Sequence, residues 1–194
     1  DAVAELVRSG KKADASKVCV NDITNAPFEQ MARQSFGRTR ACIKIEDGCE
    51  SHCAYCIIPS ARGKIRSKRP EDVLTEVRAL TQNGCREVVL TGIETASWGK
   101  DLGDLSLIDL LEELDAIEGD FLLRFMTSHP KDATLKLIDT MASHEKIAKH
   151  LHLPLQSGSD SILMRMNRHY NMASYLEKLD YLRSRVPDAA VTSD

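Results

Sequence analysis

Three cysteines in one short stretch have the spacing of an iron–sulfur site. Cys49, Cys53 and Cys56 form a C-x3-C-x2-C pattern within EDGCESHCAYCIIPSARG. Three thiolates can hold three irons of a 4Fe-4S cluster, and the fourth iron then keeps an open position. A catalytic metal site keeps one such position for a substrate or cofactor, whereas a structural site closes all of them. The spacing therefore indicates a cluster that takes part in chemistry.

A closed zinc site is the alternative use of these thiols. Zinc would need a fourth ligand, and the nearest candidate, His52, lies inside the same tight loop. The chain of 194 residues has six cysteines, too few for a disulfide framework, and three of them crowd into eight residues. Clustered thiols therefore favour a metal. Cys19, Cys42 and Cys85 are interpreted as small buried apolar residues rather than ligands.

The composition is that of a soluble globular domain, with 42% hydrophobic and 28% charged residues. The sequence has no apolar run long enough for a membrane helix and no pattern of a signal peptide, so the expected location is the cytoplasm. The net charge of −3 argues against a uniformly basic nucleic-acid binder. Any contact with RNA must come from a local patch or from another domain.

Strands and helices alternate around the cysteine loop and after it. The predicted strands cover residues 41–45, 87–91, 121–126, 151–155 and 189–192. The predicted helices begin at Pro70, near Leu107, near Leu135, at Ser159 and at Met172. Such alternation predicts a parallel α/β sheet with right-handed crossovers, closing as a partial (β/α) barrel.

The predicted barrel breaks off after about five strands, so we expect the chain to be a fragment of a longer protein. Residues 38–194 form the expected core domain, and residues 1–37 the tail of a preceding domain and a linker. Within that first part, residues 1–9 have a helical pattern and residues 18–21 a strand pattern. The cysteine loop follows the first strand of the core, and parallel barrels place their active sites at the C-terminal ends of strands.

Several sequence motifs resemble those of the radical S-adenosylmethionine superfamily. The cysteine loop carries an aromatic residue before its last cysteine, and VVLTGIETASWG, RFMTSHPKD and HLHLPLQSGSDSILMRMNRHY follow. Together these words resemble the methylthiotransferases, and TGI and MNRHY are most similar to the branch that acts on threonylcarbamoyladenosine beside the tRNA anticodon. Enzymes acting on isopentenyladenosine or on a ribosomal-protein aspartate are alternatives within the class, and a non-catalytic metal-binding module is an alternative outside it.

The resemblance implies a fold of the radical SAM type and a 4Fe-4S cluster held by Cys49, Cys53 and Cys56. S-adenosylmethionine (SAM) would bind the open iron, and its reductive cleavage would yield a 5′-deoxyadenosyl radical. In the family an N-terminal domain holds a second 4Fe-4S cluster and a C-terminal domain binds RNA. We therefore expect this chain to bind one cluster and not to complete methylthiolation alone. Its expected partners are tRNA, SAM and an electron donor, without a membrane, and it is expected to be a monomer.

Residues at the predicted strand ends are candidates for binding SAM. Gly92 would let the backbone approach a ligand closely, although it could simply be a turn glycine. His129, before Pro130, and Ser159, a possible helix N-cap, have structural alternatives of the same kind. Glu94 departs from the family pattern, in which a polar non-acidic residue, often His, occupies this position. The candidate set is Tyr55, Thr91, Gly92, Ser128, Gln156 and Ser157.

A basic segment just after the cysteine loop is the candidate for contact with RNA. Its five cations are Arg62, Lys64, Arg66, Lys68 and Arg69. An extended segment would place the first four on one side, where they could contact phosphates or the carboxylate of the cofactor. A solvated loop is the alternative. Trp98 could stack on a base or cover the barrel mouth. His150 and His152 are expected to be satisfied core or barrel-lining residues rather than metal ligands.

Overall fold

Parallel strands lie at the centre of the fold. The structure is a computed structural model that describes residues 8, 9, 28, 39–126 and 128–194. In chain order the strands are β1 (Arg40–Lys44), β2 (Glu46–Asp47), β3 (Arg66–Ser67), β4 (Glu87–Thr91), β5 (Leu122–Phe125), β6 (His150–His152) and β7 (Ala190–Thr192). Strand β4 lies between β1 and β5 in a parallel sheet, and β6 pairs in parallel with β7. A parallel bridge from Leu123 to Ile147 lies between the two sheets. The predicted parallel α/β fold is confirmed.

In the part of the chain that the structure describes, six helices follow β1. They are α1 (Ile58–Arg62), α2 (Pro70–Gln82), α3 (Leu107–Asp115), α4 (Leu135–Ser143), α5 (Asp160–Arg165) and α6 (Met172–Arg185), with a short 3-10 helix at Thr95–Ser97. Helix α2 starts with Pro70, whose missing N–H is not needed there, and Gly84 follows its end with a φ of 86°. Ser106 and Asp109 form a capping box at the start of α3. Local sequence signals thus set these boundaries.

The core lies between the strands and the apolar faces of the helices. Buried residues of β4 and β5 pack with the buried stripes of α2 and α3, and α4 packs against α6. Two apolar residues of these helices are exposed: Leu135, the first residue of α4, and Leu176 of α6. In α6 the inward positions are Tyr175, Leu179 and Leu182, spaced by four and three residues, so Leu176 lies off that face.

The segment between β1 and α2 has structure that the periodicity did not predict. Strands β2 and β3 pair in antiparallel fashion, with Glu46 opposite Ser67 and Asp47 opposite Arg66. Two-residue strands are too short for an alternating pattern to be visible. This pair closes the base of the cysteine loop, which therefore lies at the C-terminal end of β1. The predicted fourth strand is also shorter than expected and ends at His152, before Pro154.

The N-terminal part of the chain is described only in part. Arg8 and Ser9 are helical, at the end of the predicted helix over residues 1–9. The rest of that helix, the predicted strand over residues 18–21, Cys19 and the domain boundary after residue 37 lie outside the described residues. Among the described residues, no helix combines the length and apolar character needed to cross a membrane.

Candidate radical chemistry site

The cysteine loop is fixed at its base and exposes its thiols. Cys49 and Cys53 are partly exposed and Cys56 is exposed, and none of the three forms a disulfide. Cys49 N–H donates to the carbonyl of Gly63 at 3.2 Å, and Cys56 N–H donates to the carbonyl of Cys53 at 2.9 Å. Gly48 has a φ of 88°, and a Cβ there would lie 2.0 Å from the carbonyl oxygen of Lys64. The predicted ligands therefore share one short, anchored loop.

The donor set fits an iron–sulfur cluster. Three thiols are soft ligands of the kind that bind iron in such clusters. Within the described part of the chain, no three His, Cys, Asp or Glu side chains surround one ion-sized position. Ligands of a cluster do not need that arrangement, because each thiolate binds a different iron.

Two buried glutamates connect the strand ends next to this loop. Glu46 Oε2 accepts a hydrogen bond from Glu94 N–H at 2.8 Å. Both carboxylate oxygens of Glu94 accept from His129 N–H, at 2.8 and 2.9 Å. Glu46 lies in β2 directly after β1, Glu94 follows β4 and His129 follows β5, so the two carboxylates connect the C-terminal ends of three neighbouring strands. Glu94 therefore binds the backbone N–H of His129. Glu46 is not among the site residues predicted from the sequence.

Burial changes the protonation of these glutamates. It raises the pKa of Glu46 to about 7 and the pKa of Glu94 to about 8, because the charged forms lose solvent. The hydrogen bonds from backbone amides act in the opposite direction and do not offset burial. At neutral pH Glu94 is therefore mostly protonated in the folded protein.

Glu46 occupies the space that a side chain at position 92 would need, so this position requires glycine. A Cβ at position 92 would lie 2.6 Å from Glu46 Oε2 and 3.0 Å from Glu46 Cβ. The neighbouring Thr91 hydroxyl donates to the carbonyl of Ile43 at 3.1 Å, across the sheet. The close approach that the sequence suggested for Gly92 exists, but its partner in the structure is a carboxylate of the protein.

Three buried polar atoms near these strand ends have no hydrogen-bond partner among the described residues: Ser128 Oγ, His129 Nε2 and Glu46 Oε1. Burial, followed by the nearby cations Arg168 and Lys131, lowers the pKa of His129 to about 3, so its ring is neutral. Buried polar groups are nearly always paired in folded proteins. Unpaired ones at the C-terminal ends of parallel strands fit a polar ligand such as the amino acid part of SAM.

The loop after β6 contains the other predicted cofactor residues. Gln156 has a φ of 65°, a left-handed conformation that is uncommon for a residue with a side chain, and its N–H donates to the carbonyl of Asp194. Ser157 Oγ accepts from Ser159 N–H at 3.2 Å. Ser159 occupies the N-cap position of α5, but its hydroxyl pairs with that of Ser161 and does not cap the helix. The strained Gln156 supports a functional interpretation of this loop.

The basic segment does not present its cations on one side, contrary to the extended arrangement considered above. Lys68 is buried and forms an ion pair with Glu76. Arg66 Nη2 lies 3.2 Å from Asp47 Oδ2, with Lys44 and Arg62 on the same carboxylate. Lys68 and Arg66 thus pair with carboxylates of the protein itself, because buried carboxylates need partners. Of the five cations, Arg62, Lys64 and Arg69 are exposed.

Several other candidates have structural roles. Trp98 is 1% exposed and its Nε1 donates to the carbonyl of Lys68, so it belongs to the core and is not available to stack on a base. Cys85 is buried as expected, whereas Cys42 is exposed, contrary to expectation, because its side chain in β1 lies on the face opposite that of the buried Ile43. His150 and His152 both bind the hydroxyl of Thr192 on the neighbouring strand β7.

Tyr55 and Arg168 lie together at the rim of the cysteine loop. Tyr55 is 54% exposed, so its ring is not part of the core. Arg168 Nη1 donates to Cys53 Sγ at 3.3 Å and lies 3.5 Å from the Tyr55 hydroxyl. Sequence reasoning missed Arg168, and the signal that could have found it is its position in the word MNRHY.

Known proteins resemble the chain in sequence and in fold. It is 45% identical over 159 residues to the tRNA-2-methylthio-N(6)-dimethylallyladenosine synthase of Desulfitobacterium hafniense (strain Y51), covering 81% of this chain and 36% of that protein. The protein of the same name from Thermoanaerobacter sp. (strain X514) is 43% identical over 176 residues, covering 90% and 37%. This chain thus spans little more than a third of the length of these two relatives.

Solved structures of radical enzymes share the fold. The cobalamin-dependent S-adenosylmethionine radical enzyme OxsB superposes with a TM-score of 0.61 at 16% identity, covering 78% of this chain and 23% of that one. The radical S-adenosylmethionine methyltransferase TsrM from Kitasatospora setae superposes with a TM-score of 0.59 at 17% identity, covering 76% and 29%. A sequence profile described as the radical SAM superfamily matches residues 43–194, from β1 to the last residue of the sequence. Since the match includes the cysteine loop and every predicted strand end, the chain belongs to the radical SAM superfamily.

Proposed function

We propose that this chain is the radical SAM core of a tRNA methylthiotransferase. The observation that carries the proposal is the three-thiol loop at the end of β1, which lies beside unpaired buried polar atoms at the next strand ends. The resemblance in sequence to tRNA methylthiolating enzymes supports it, since two relatives are 43–45% identical over most of the chain.

In this proposal Cys49, Cys53 and Cys56 bind three irons of a 4Fe-4S cluster. The cluster and SAM, when bound, supply the radical that removes hydrogen from an unactivated C–H bond. The residues of the chain bind and orient these groups and exclude water. Glu46 and Glu94 hold the strand-end loops, so that Ser128 and His129 present their unpaired atoms to the cofactor.

We also propose roles for the other predicted cofactor residues. The left-handed Gln156 and the neighbouring Ser157 lie on the loop after β6 and have hydroxyl and amide groups suited to a ribose. The exposed Tyr55 is available to a ligand at the rim of the cysteine loop. Gly92 and Thr91 act through the protein, because their close contacts are with Glu46 and Ile43.

The proposed substrate is an isopentenyladenosine of tRNA, which is the dimethylallyladenosine in the names of the relatives. The sequence words favoured threonylcarbamoyladenosine, and the relatives named above do not support that preference. Threonylcarbamoyladenosine stays as a second candidate because of the words TGI and MNRHY. Exposed Arg62, Lys64 and Arg69 are proposed to contact tRNA phosphates, and action on tRNA would place the protein in the cytoplasm.

Nucleoside analysis tests the proposed function. Digested tRNA from a strain that lacks the gene is compared with tRNA from strains that carry the wild-type gene or its Cys53→Ala variant. We expect the 2-methylthio derivative of isopentenyladenosine to disappear in the deletion and the variant, and to return only with the wild type. Loss of the methylthio derivative of threonylcarbamoyladenosine would select the second candidate. Unchanged levels of both would refute the proposal.

A further inference from the structure

The cysteine loop rests on a segment that is distant in sequence. This segment, residues 166–170, follows α5 and is called the rim segment here. Ala54 N–H donates to the carbonyl of Met166 at 2.9 Å, and Asn167 Nδ2 donates to the carbonyl of His52 at 2.8 Å. These two bonds flank Cys53 on its neighbours in the chain. The position of Cys53 is therefore set partly by the rim segment.

Arg168 brings a positive charge to the Cys53 sulfur. Its Nη1 lies 3.3 Å from Cys53 Sγ, and its guanidinium stacks on the ring of Tyr170 with 5.2 Å from Cζ to the ring centroid. The same Nη1 also lies 3.5 Å from the Tyr55 hydroxyl. Arg168 Nε is buried and lacks a hydrogen-bond partner among the described residues. The charge is therefore held against the thiol by stacking and burial.

A cation at a ligand sulfur favours the reduced form of a cluster. Reduction adds negative charge to the cluster and its thiolates, and hydrogen bonds to those sulfurs are among the features that set the potential. Removing the cation should therefore lower the reduction potential. A lysine keeps the charge but loses the planar group that stacks on Tyr170.

We propose that Arg168 is a positioning residue that docks the rim segment on the cysteine loop and raises the reduction potential of the cluster. This role rests on the cluster site of the proposed function. Arg168 belongs to the MNRHY motif, so this motif acts at the cluster and not only in the choice of substrate.

Redox titration of the reconstituted chain, followed by EPR spectroscopy, tests the electrostatic part. Arg168→Met is compared with Arg168→Lys and with Arg165→Met, which removes the same charge from an exposed position three residues away. We expect Arg168→Met to lower the ratio of reduced to oxidised cluster about tenfold at a fixed potential, a shift of about 60 mV for one electron. Arg168→Lys should recover part of the shift. A titration of Arg168→Met that matches Arg165→Met at equal iron content would overturn the proposal.

Hydrogen exchange in the metal-free chain tests the docking part and does not need a cluster. We expect the amide of Ala54 to exchange at least fivefold faster in Arg168→Met than in Arg165→Met, while amides of β4 keep their rates. Equal exchange at Ala54 in the two variants would overturn the docking role. If the wild-type chain binds no cluster, the proposed function fails, and this exchange comparison still decides whether Arg168 docks the rim segment.

Discussion

At the scale of single residues, the carboxylate Glu46 explains more of the site than its sequence position suggested. It is fully buried, its Oε2 accepts from Glu94 N–H, and its side chain occupies the space that a Cβ at position 92 would need. Its Oε1 has no partner among the described residues. One side chain therefore accounts for a glycine, fixes the loop after β4 and leaves an acceptor for a ligand.

Replacing Gly92 with alanine should destabilise the protein by about 1–3 kcal/mol, the usual cost of adding a methyl group to a closely packed site. The new Cβ would displace Glu46 Cβ and Oε2. Gly158→Ala is the matched control, because a Cβ there meets nothing within 4 Å. Urea unfolding of the two variants and the wild type measures the effect. A Gly92→Ala variant as stable as Gly158→Ala would show that Glu46 does not need the glycine.

The buried glutamates predict how stability depends on pH. The folded-state pKa of Glu94, about 8, is above the ordinary value of 4.5, so the folded protein binds more protons between these values. Its contribution is fully present below pH 4.5 and is lost as the pH rises toward 8. We expect Glu94→Gln to reduce the loss of stability over this range by on the order of 3 kcal/mol.

Thermal or urea unfolding of the metal-free protein between pH 5 and 8 checks this expectation. The exposed Glu112→Gln on α3 is the control, because it changes the same charge outside the buried pair. The folded-state pKa of His129 is lowered, so below about pH 6.5 its contribution to stability increases as the pH rises. Neither variant replaces His129. Identical pH profiles for Glu94→Gln and Glu112→Gln would contradict the account.

At the scale of elements, the long segments were predictable from sequence and the short ones were not. Helix α2 begins at Pro70 and β4 covers Glu87–Thr91 as predicted, because caps and apolar periods are local signals. The pair β2–β3 was missed, although it closes the cysteine loop, because its pairing joins residues that are distant in sequence. The same reason explains why the contact of Arg168 with the Cys53 sulfur required the fold, although the MNRHY motif marked this segment.

The cap of α3 gives an element-scale prediction. Ser106 Oγ accepts from Asp109 N–H, and the Asp109 side chain accepts from Ser106 N–H at 2.8 Å. Removing the hydroxyl with Ser106→Ala should lower stability by about 1 kcal/mol. Glu113→Ala, on the exposed face of the same helix, should change it by less than about 0.5 kcal/mol. Chemical unfolding compares the two, and equal effects would show that the capping box does not stabilise the helix.

At the scale of the whole molecule, the parallel strands gather groups that are far apart in sequence at one edge. The sequence placed the cysteines and the strand-end residues there because the C-terminal ends of parallel strands share that edge. It did not show which of them bind one another. Gly92, Thr91 and Glu94 turned out to contact protein groups, whereas Ser128 and His129 keep unpaired atoms. Candidate site residues were thus predictable as a set, and their individual contacts required the fold.

The cysteine inventory predicts one cluster in this chain. Anaerobic reconstitution should give about four irons and four sulfides per chain, as for a single 4Fe-4S cluster. Cys42→Ser should keep this content, because Cys42 lies within strand β1 and outside the cysteine loop, whereas Cys53→Ala should lower it severalfold. About eight irons per chain would contradict the prediction, as would full content in Cys53→Ala.

The central claim is that the cysteine loop holds a cluster with an open iron that binds SAM. EPR spectroscopy of the reduced, reconstituted chain, recorded with increasing SAM, tests the cluster, the open iron and the cofactor together. We expect a 4Fe-4S signal that changes in shape and g-values as SAM is added and that is absent in Cys53→Ala. A cluster signal that ignores SAM, or a chain that takes up zinc in its place, would contradict it.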